Sequence, residues 1–361
     1  MFNKIYIKHL YYVFITRFMY ITLIFCSLIF VLNILEELKF FENHSEIGIG
    51  YPILLTVLNL PSVLFEIFPF IIIICTQFFF IKFQDKAEIL IFKNNGINNF
   101  KIMLYLSLLV FFIGIIIITL FHIFSSNMKH TYLEIKNKYT LDNKYLAVIN
   151  ENGLWIKDRI NDKILIIHSE KIDKNILKNL IITVYDTEFR NDTNIISDEA
   201  EINTTSWKLK NAIIVDNSGK RESLEEIIID TNFDYIKINS LFSNLESLNI
   251  FQLLKQRRDF ISVGLNVSDI DIYLNKICSL PFSLVIFLLL SSILMFNISF
   301  KKSKTFMIII GILFSVIIYY IYYFFGLMGA NNKIPTILAV WLPNLLIFLS
   351  CLIGIVNINE K

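Results

Sequence analysis

Six apolar stretches, each about 20 residues long, decide what this chain of 361 residues can fold into. A bilayer's hydrocarbon core is about 30 Å thick and a helix rises about 1.5 Å per residue, so a helix of about 20 apolar residues crosses it. The stretches run Phe18–Leu35, Pro61–Ile81, Ile102–Phe124, Ile277–Phe300, Phe306–Met328 and Thr336–Val356. Three come early and three late. The block between them, Ser125–Asn275, holds 19 of the 33 Lys+Arg and 23 of the 31 Asp+Glu, which makes it an aqueous domain. With 55% apolar and 18% charged residues the whole chain is too apolar for a soluble enzyme of this length.

The remaining composition removes other classes. Cys26, Cys75, Cys278 and Cys351 all fall inside apolar runs without metal-ligand spacing and read as small hydrophobes. A net charge of +2 gives no basic field that would recruit nucleic acid. The five histidines form no HExxH or Cys/His cluster. A nucleotide-binding GxxxxGK[ST] is missing, because the nearest candidate, Gly219-Lys220-Arg221, lacks the upstream glycine and the hydroxyl residue. ATP hydrolysis by this chain alone is excluded.

Basic residues in short loops orient the spans. Placing both termini, the Lys82–Lys101 loop and the Phe300–Thr305 loop in the cytoplasm puts eleven Lys/Arg inside, against only Lys39 and Lys333 in the short outer loops. The aqueous block then lies outside, in the periplasm of a double-membrane bacterium. The first span ends in Glu36-Glu37 with no small-residue cleavage site, so it reads as an anchor rather than a signal peptide. In the second, Pro61 is a favourable first-turn residue; a membrane helix opening there leaves Tyr51–Leu60 along the outer surface and Glu66 about 7.5 Å from the outer end.

Short strands are expected through the aqueous block. Tyr145–Ile149 and Leu154–Lys157 flank an Asn152-Gly153 turn, and Lys163–His168, Leu180–Tyr185, Ala200–Asn203, Trp207–Val215 and Glu226–Asp230 follow, which favours a sandwich or open barrel. A helical pattern over Leu248–Leu254 leads back toward the fourth span.

Several residues carry chemistry under two readings each. Gln84–Asn99 contains Asp85, Glu88 and Phe92 and is closed by Gly96, as a short helix that either docks a partner or lies on the lipid surface. Glu36, Glu37 and Lys39 end the first span, where Lys39 meets an anionic headgroup or simply sits at a solvated helix end. Glu66 is an intramembrane carboxylate with a function or one that snorkels to the interface. Arg257-Arg258 binds phosphate or belongs to a surface helix.

Three spans, a β-rich outer block and three more spans, together with local motifs, resemble the LptF/LptG (YjgP/YjgQ) permeases of lipopolysaccharide export. Leu60-Pro61-Ser62 followed by Glu66-Ile67-Phe68-Pro69 is similar to the family's opening of span two, and Asp85–Gly96 resembles its coupling helix. Gly153-Leu154-Trp155-Ile156-Lys157-Asp158 is similar to a hairpin more typical of LptG, and Trp207-Lys208-Leu209 to a later strand. Gly264, Lys276 and Pro281 resemble the run into span four; Ile334-Pro335 and Trp341-Leu342-Pro343 resemble span six.

The resemblance implies a polytopic α-helical membrane protein with six transmembrane helices (3+3) and an inserted periplasmic all-β jellyroll-like domain. It divides the chain into spans one to three (1–124, coupling helix about 84–96), the β domain (125–247), a linker helix region (248–275) and spans four to six (276–361). It further implies a non-catalytic permease subunit of an ABC exporter, with no cofactor of its own and ATP used by a cytosolic LptB-like ATPase dimer. The other implied partners are a paralogous LptF-like permease, periplasmic LptC/LptA-like jellyroll proteins and lipopolysaccharide. Asp85, Glu88, Phe92 and Gly96 would couple to the ATPase, and Lys39, Glu36 and Glu66 would contact substrate. Composition and topology alone leave room for a permease of another envelope lipid or lipoprotein, and for a membrane sensor or scaffold.

Overall fold

The computed structural model describes residues 2–42, 48–85, 88–137, 139, 146–150, 153–160, 163–173, 175–186, 191–216, 219–235, 238, 244–263, 266–297 and 304–359. Tyr145, Asn152, Gly264 and Phe300, named above, lie outside them, as do the side chains of Gln84 and Asp85. Backbone contacts divide the chain into two units, Met1–Tyr132 with Asp271–Lys361, and Leu133–Ile270.

The first unit is helical: α1 (Phe2–Phe40), α2 (Gly50–Asp85), the short α3 (Glu88–Asn94), and α4 (Asn99–Ile116), which runs through a π-turn at Ile117–Phe121 into α5 (His122–Asn137). After the second unit come α7 (Ser268–Asn297), α8 (Lys304–Ala330) and α9 (Thr336–Asn359), numbered to leave α6 for the helix that precedes them. Among the described residues, six helices are long and apolar enough to cross a membrane, and their apolar stretches coincide with the six in the sequence.

The second helix differs from expectation. It is one uninterrupted helix from Gly50, with Pro61 and Pro69 inside it, rather than a surface segment followed by a span opening at Pro61. A proline in a helix removes one hydrogen bond, and a membrane helix tolerates that when neighbours enclose it. This one is enclosed: 61% of the apolar window of α2 and 67% of that of α7 are buried, against 17% for α1 and for α8, so α2 and α7 form the centre of the bundle.

Small and polar residues set the helix crossings, because lipid is as apolar as leucine and cannot drive helices together. A Cβ on Gly114 of α4 would stand 2.7 Å from Pro281 Cα on α7, and one on Gly354 of α9 would stand 2.8 Å from the Ile293 side chain. Ser291 Oγ on α7 donates to Ile73 O on α2 (3.0 Å). On α9, Asn344 Oδ1 accepts from both Ser283 (2.9 Å) and Tyr322 (2.6 Å).

The second unit is a seven-stranded antiparallel meander, in which every strand pairs with its sequence neighbours. The strands are β1 (Leu146–Asn150), β2 (Gly153–Ile160), β3 (Lys163–Asp173), β4 (Ile176–Tyr185), β5 (Asn191–Glu201), β6 (Ser206–Asp216) and β7 (Arg221–Asp230), followed by α6 (Ile250–Val263). β5 and β7 begin nine and five residues earlier than the sequence pattern indicates, because their exposed sides carry polar residues that hide the alternation. Gly153, expected in the turn between β1 and β2, instead opens β2 and pairs with Asn150. Glycine is required there, since φ is +120° and a Cβ would lie 2.3 Å from Ser169 O.

A crease runs across strands β3 to β7. Pairing passes from Ser169↔Leu180 to Lys171↔Lys178, from Leu180↔Ser197 to Lys178↔Glu199, and from Ala212↔Leu224 to Lys210↔Glu226, skipping one residue on each strand. Asn179 and Asn211, in that row, adopt φ of 53° and 55°, the left-handed region that asparagine tolerates best among residues with a Cβ. Buried serines reach the carbonyls flanking the row. Ser169 Oγ lies 3.0 and 2.9 Å from Lys171 O and Lys178 O, and Ser197 Oγ lies 2.9 and 2.6 Å from Glu199 O and Lys210 O. Such interruptions bend strands and increase their twist.

The bending brings distant strands together. In a flat sheet β2 and β7 would stand about 24 Å apart at the usual strand spacing. Yet Asn232, two residues past β7, donates from its backbone N to Asp158 Oδ2 on β2 (2.8 Å) and from Nδ2 to Oδ1 (2.9 Å). The sheet is therefore rolled, and this latch closes it. Leu154, Ile156, Ile167, Leu180, Ile182, Trp207 and Leu209 fill its buried face, with Trp207 Nε1 donating to Phe233 O (2.7 Å).

Two outcomes follow. Asp158→Ala leaves the Asn232 and Arg159 donors without their acceptor, and should lower the stability of the β unit by about 2–3 kcal/mol, read by proteolysis or thermal unfolding of the full chain, with Asp158→Asn less severe. Gly114→Leu must push α4 away from Pro281, and should lower the melting temperature of the detergent-solubilised chain through an overpacking cost of about 1–3 kcal/mol.

Candidate functional site

Apart from Glu66, midway along α2, and Arg257-Arg258 on α6 of the second unit, the residues singled out from sequence fall near the two ends of the helical unit. At one end, Glu88 opens α3 and its Oε2 lies 3.1 Å from His9 Nε2 on α1. Phe92, one helical turn later, is buried between Tyr6 of α1 (ring centroids 5.3 Å apart) and Phe83 of α2 (5.4 Å). The chain stops the helix at Gly96, whose φ of +76° places Ile97 N on Phe92 O (3.0 Å). Ile97 is buried beside this stop, and Asn98 Oδ1 accepts from Lys101 N (3.0 Å) to start α4.

These placements change what each residue can do. Phe92 faces inward and fastens α3 to the bundle, rather than standing free on its surface. The Glu88 side chain, only 15% exposed, is engaged by His9. Gly96 is exposed and shapes the connection, and Asp85 is the last residue of α2. Of the apolar side chains in α3, Ile91 is exposed.

At the other end the helix separates Glu36, expected to contact substrate, from its neighbour Glu37. Ile29, Asn33 and Glu37 share one stripe of α1 and are buried, as is Phe41 just past its end. Glu37 accepts from the Tyr132 hydroxyl of α5 at 2.8 Å. Glu36 and Lys39 are exposed, and among the described residues Lys39 makes no side-chain hydrogen bond or ion pair. Glu66, 16 residues from Gly50 and 16 from Lys82 in α2, lies about 24 Å along the helix from each. Its Oε1 is 3.8 Å from Lys276 Nζ of α7, with the two side chains 44% and 60% exposed, a loose pair that contributes about 1 kcal/mol at most. Glu66 and Lys39 are not joined to each other by any contact among the described residues.

Other polar groups gather near Glu37 and Glu66 without having been foreseen. Lys129 Nζ of α5 donates to Asn59 Oδ1 of α2 (2.7 Å), and Ser62 Oγ bonds the same residue. His122 follows the π-turn and is buried edge-on against Phe65, with centroids 4.9 Å apart. Only the four-residue spacing of Asn33, Glu37 and Phe41 was available in the sequence to mark one of these positions as inward-facing. Among the described residues, no group of three or more His, Cys, Asp or Glu is placed to hold a metal ion.

One end thus offers a short helix fastened to the first two spans, and the other offers Glu36, Glu37 and Lys39 near the end of α1, with Lys129 of α5 and the Glu66–Lys276 pair farther along the bundle. The chain is similar to the uncharacterized protein RP871 of Rickettsia prowazekii (strain Madrid E), at 26% identity over 163 residues, which cover 43% of this chain and 42% of that protein. The chain therefore spans less than half the length of this curated relative. Over nearly its whole length, residues 8–357, it matches the family described as lipopolysaccharide export system permease LptF/LptG, and with six apolar helices interrupted by a β unit it belongs to that family.

Proposed function

We propose that this chain is the membrane permease subunit of an ABC-type exporter that withdraws lipopolysaccharide from the inner membrane and passes it toward the outer membrane. The observation that carries the reading is the family match across residues 8–357. In this reading the β unit faces the periplasm, both termini and α3 face the cytoplasm, and the excess of Lys/Arg in the short loops on the α3 side supports that orientation. ATP is hydrolysed by a separate LptB-like ATPase dimer that α3 contacts. An LptF-like paralogue completes the translocation cavity and LptC/LptA-like proteins receive the lipid, with Gly153–Asp158 supporting the LptG-like role for this chain.

The physical task is to keep acyl chains out of water, since each exposed CH₂ costs about 0.8 kcal/mol. A rolled sheet with an apolar inner face suits it. Lys39, exposed at the end of α1, would meet a lipid phosphate as a point charge, with Glu36 beside it and the Glu66–Lys276 pair farther along α2.

Purification of the tagged chain from its own host in mild detergent should recover an ABC-type ATPase, a second six-span relative and lipid A species by mass spectrometry. Recovery of the ATPase with a different lipid would replace the substrate, and recovery of no ATPase would end the exporter reading. Lys39→Glu should reduce lipopolysaccharide photocrosslinking about tenfold or more, because a lysine beside an anionic headgroup contributes about 1 kcal/mol and its reversal turns attraction into repulsion. Unchanged crosslinking removes Lys39 from the site.

A further inference from the structure

A seven-residue helix has little stability of its own, so the position of α3 is set by what it touches. Two of its side chains, Glu88 and Phe92, stand four residues apart and therefore on one face. They meet two side chains of α1, His9 and Tyr6, that stand three apart on one face of that helix. The imidazole lies 3.1 Å from the Glu88 carboxylate, and the Tyr6 ring meets Phe92 edge-on at 5.3 Å. His9 also approaches Phe83 of α2, with centroids 6.3 Å apart, and Phe83 packs on Phe92. The first span is thereby bound to α3 at two matched points, although 79 residues separate His9 from Glu88 in sequence.

We propose that His9 is a positioning residue: through Glu88 it ties α3 to α1, so that displacement of α3 moves the first span with it. This rests on the reading of α3 as the contact with an ATPase, and deepens it by assigning the load path. Glu88 is then held within the chain through its Oε2. The same helix carries a second polar tie at its far end, where buried Glu37 accepts from Tyr132 of α5. The two ties on α1, at residues 9 and 37, lie about 42 Å apart along the helix, more than the thickness of the hydrocarbon core. A rigid helix held at both ends connects the α3 end of the bundle to α5, which continues span three on the opposite side.

The test uses the full chain with the ATPase that co-purifies from its host, in nanodiscs of host lipid extract. His9→Ala should lower lipid-stimulated ATP hydrolysis about twofold to tenfold with ATPase recovery unchanged. Exchanging the two groups, His9→Glu with Glu88→His, should restore it. Loss in Glu88→Gln with none in His9→Ala, or an exchange that fails to rescue, overturns the proposal and leaves the docking reading standing. If no ATPase co-purifies with the unaltered chain, the docking reading fails, and the tie is decided separately by spin labels on unnatural side chains at exposed Tyr12 and Asn94. His9→Ala should then broaden the label distance distribution, and an unchanged distribution overturns the tie.

Discussion

Hydrocarbon offers no partner to a backbone N–H or C=O, so every peptide group at membrane depth must be satisfied within the chain. That requirement makes each of the six apolar stretches a helix whatever its local propensities, and it explains why α2 carries two prolines without breaking. Having formed, the helices gain nothing from hiding leucine from lipid, and the choice of neighbours passes to close approach and polar contacts. Gly114 against Pro281, Gly354 against Ile293, and Asn344 shared by Ser283 and Tyr322 are the points at which that choice is made. All involve α7 or α9, the spans that follow the β unit.

The aqueous unit faces the opposite problem. Its peptide groups can bond to water, and its apolar surface must be enclosed instead. A meander of seven strands would present a wide flat face, and the row of left-handed asparagines with its buried serines folds that face inward. The Asp158–Asn232 latch completes the roll. The Gly153–Asp158 segment that resembles the family's hairpin is thus a structural device. Gly153 permits the approach of the Ser169 carbonyl, Trp155 packs on His168 with ring centroids 4.2 Å apart, and Asp158 receives the segment beyond β7. No contact with a substrate is needed to account for these residues.

At the ends of the helical unit, charge and burial separate residues that sequence treats alike. Glu36 and Glu37 are adjacent carboxylates, yet a helix turns each successive residue by about 100°, so one meets Tyr132 and the other solvent. Phe92 and Glu88 stand one turn apart on the same short helix. The bundle uses both to hold that helix in place, and Ile91 of the same helix is exposed.

The sequence by itself determined the six spans, their grouping around an aqueous insert, most of the strands and the family, because hydropathy, charge excess and turn residues are local quantities written in consecutive positions. It placed β5 and β7 late, where polar outward residues masked the alternation, and it opened the second membrane helix at Pro61, because a proline's local preference is visible and its neighbours' enclosure is not. Tertiary structure alone decided which side of each helix faces inward, that His9 meets Glu88, that Glu37 is buried while Glu36 is not, and that Asp158 closes the sheet. These pairings join positions 79, 95 and 74 residues apart, and nothing local encodes them. They depend on how α1 lies against α2 and α3, and on how far the sheet rolls, which are settled by packing across the whole unit.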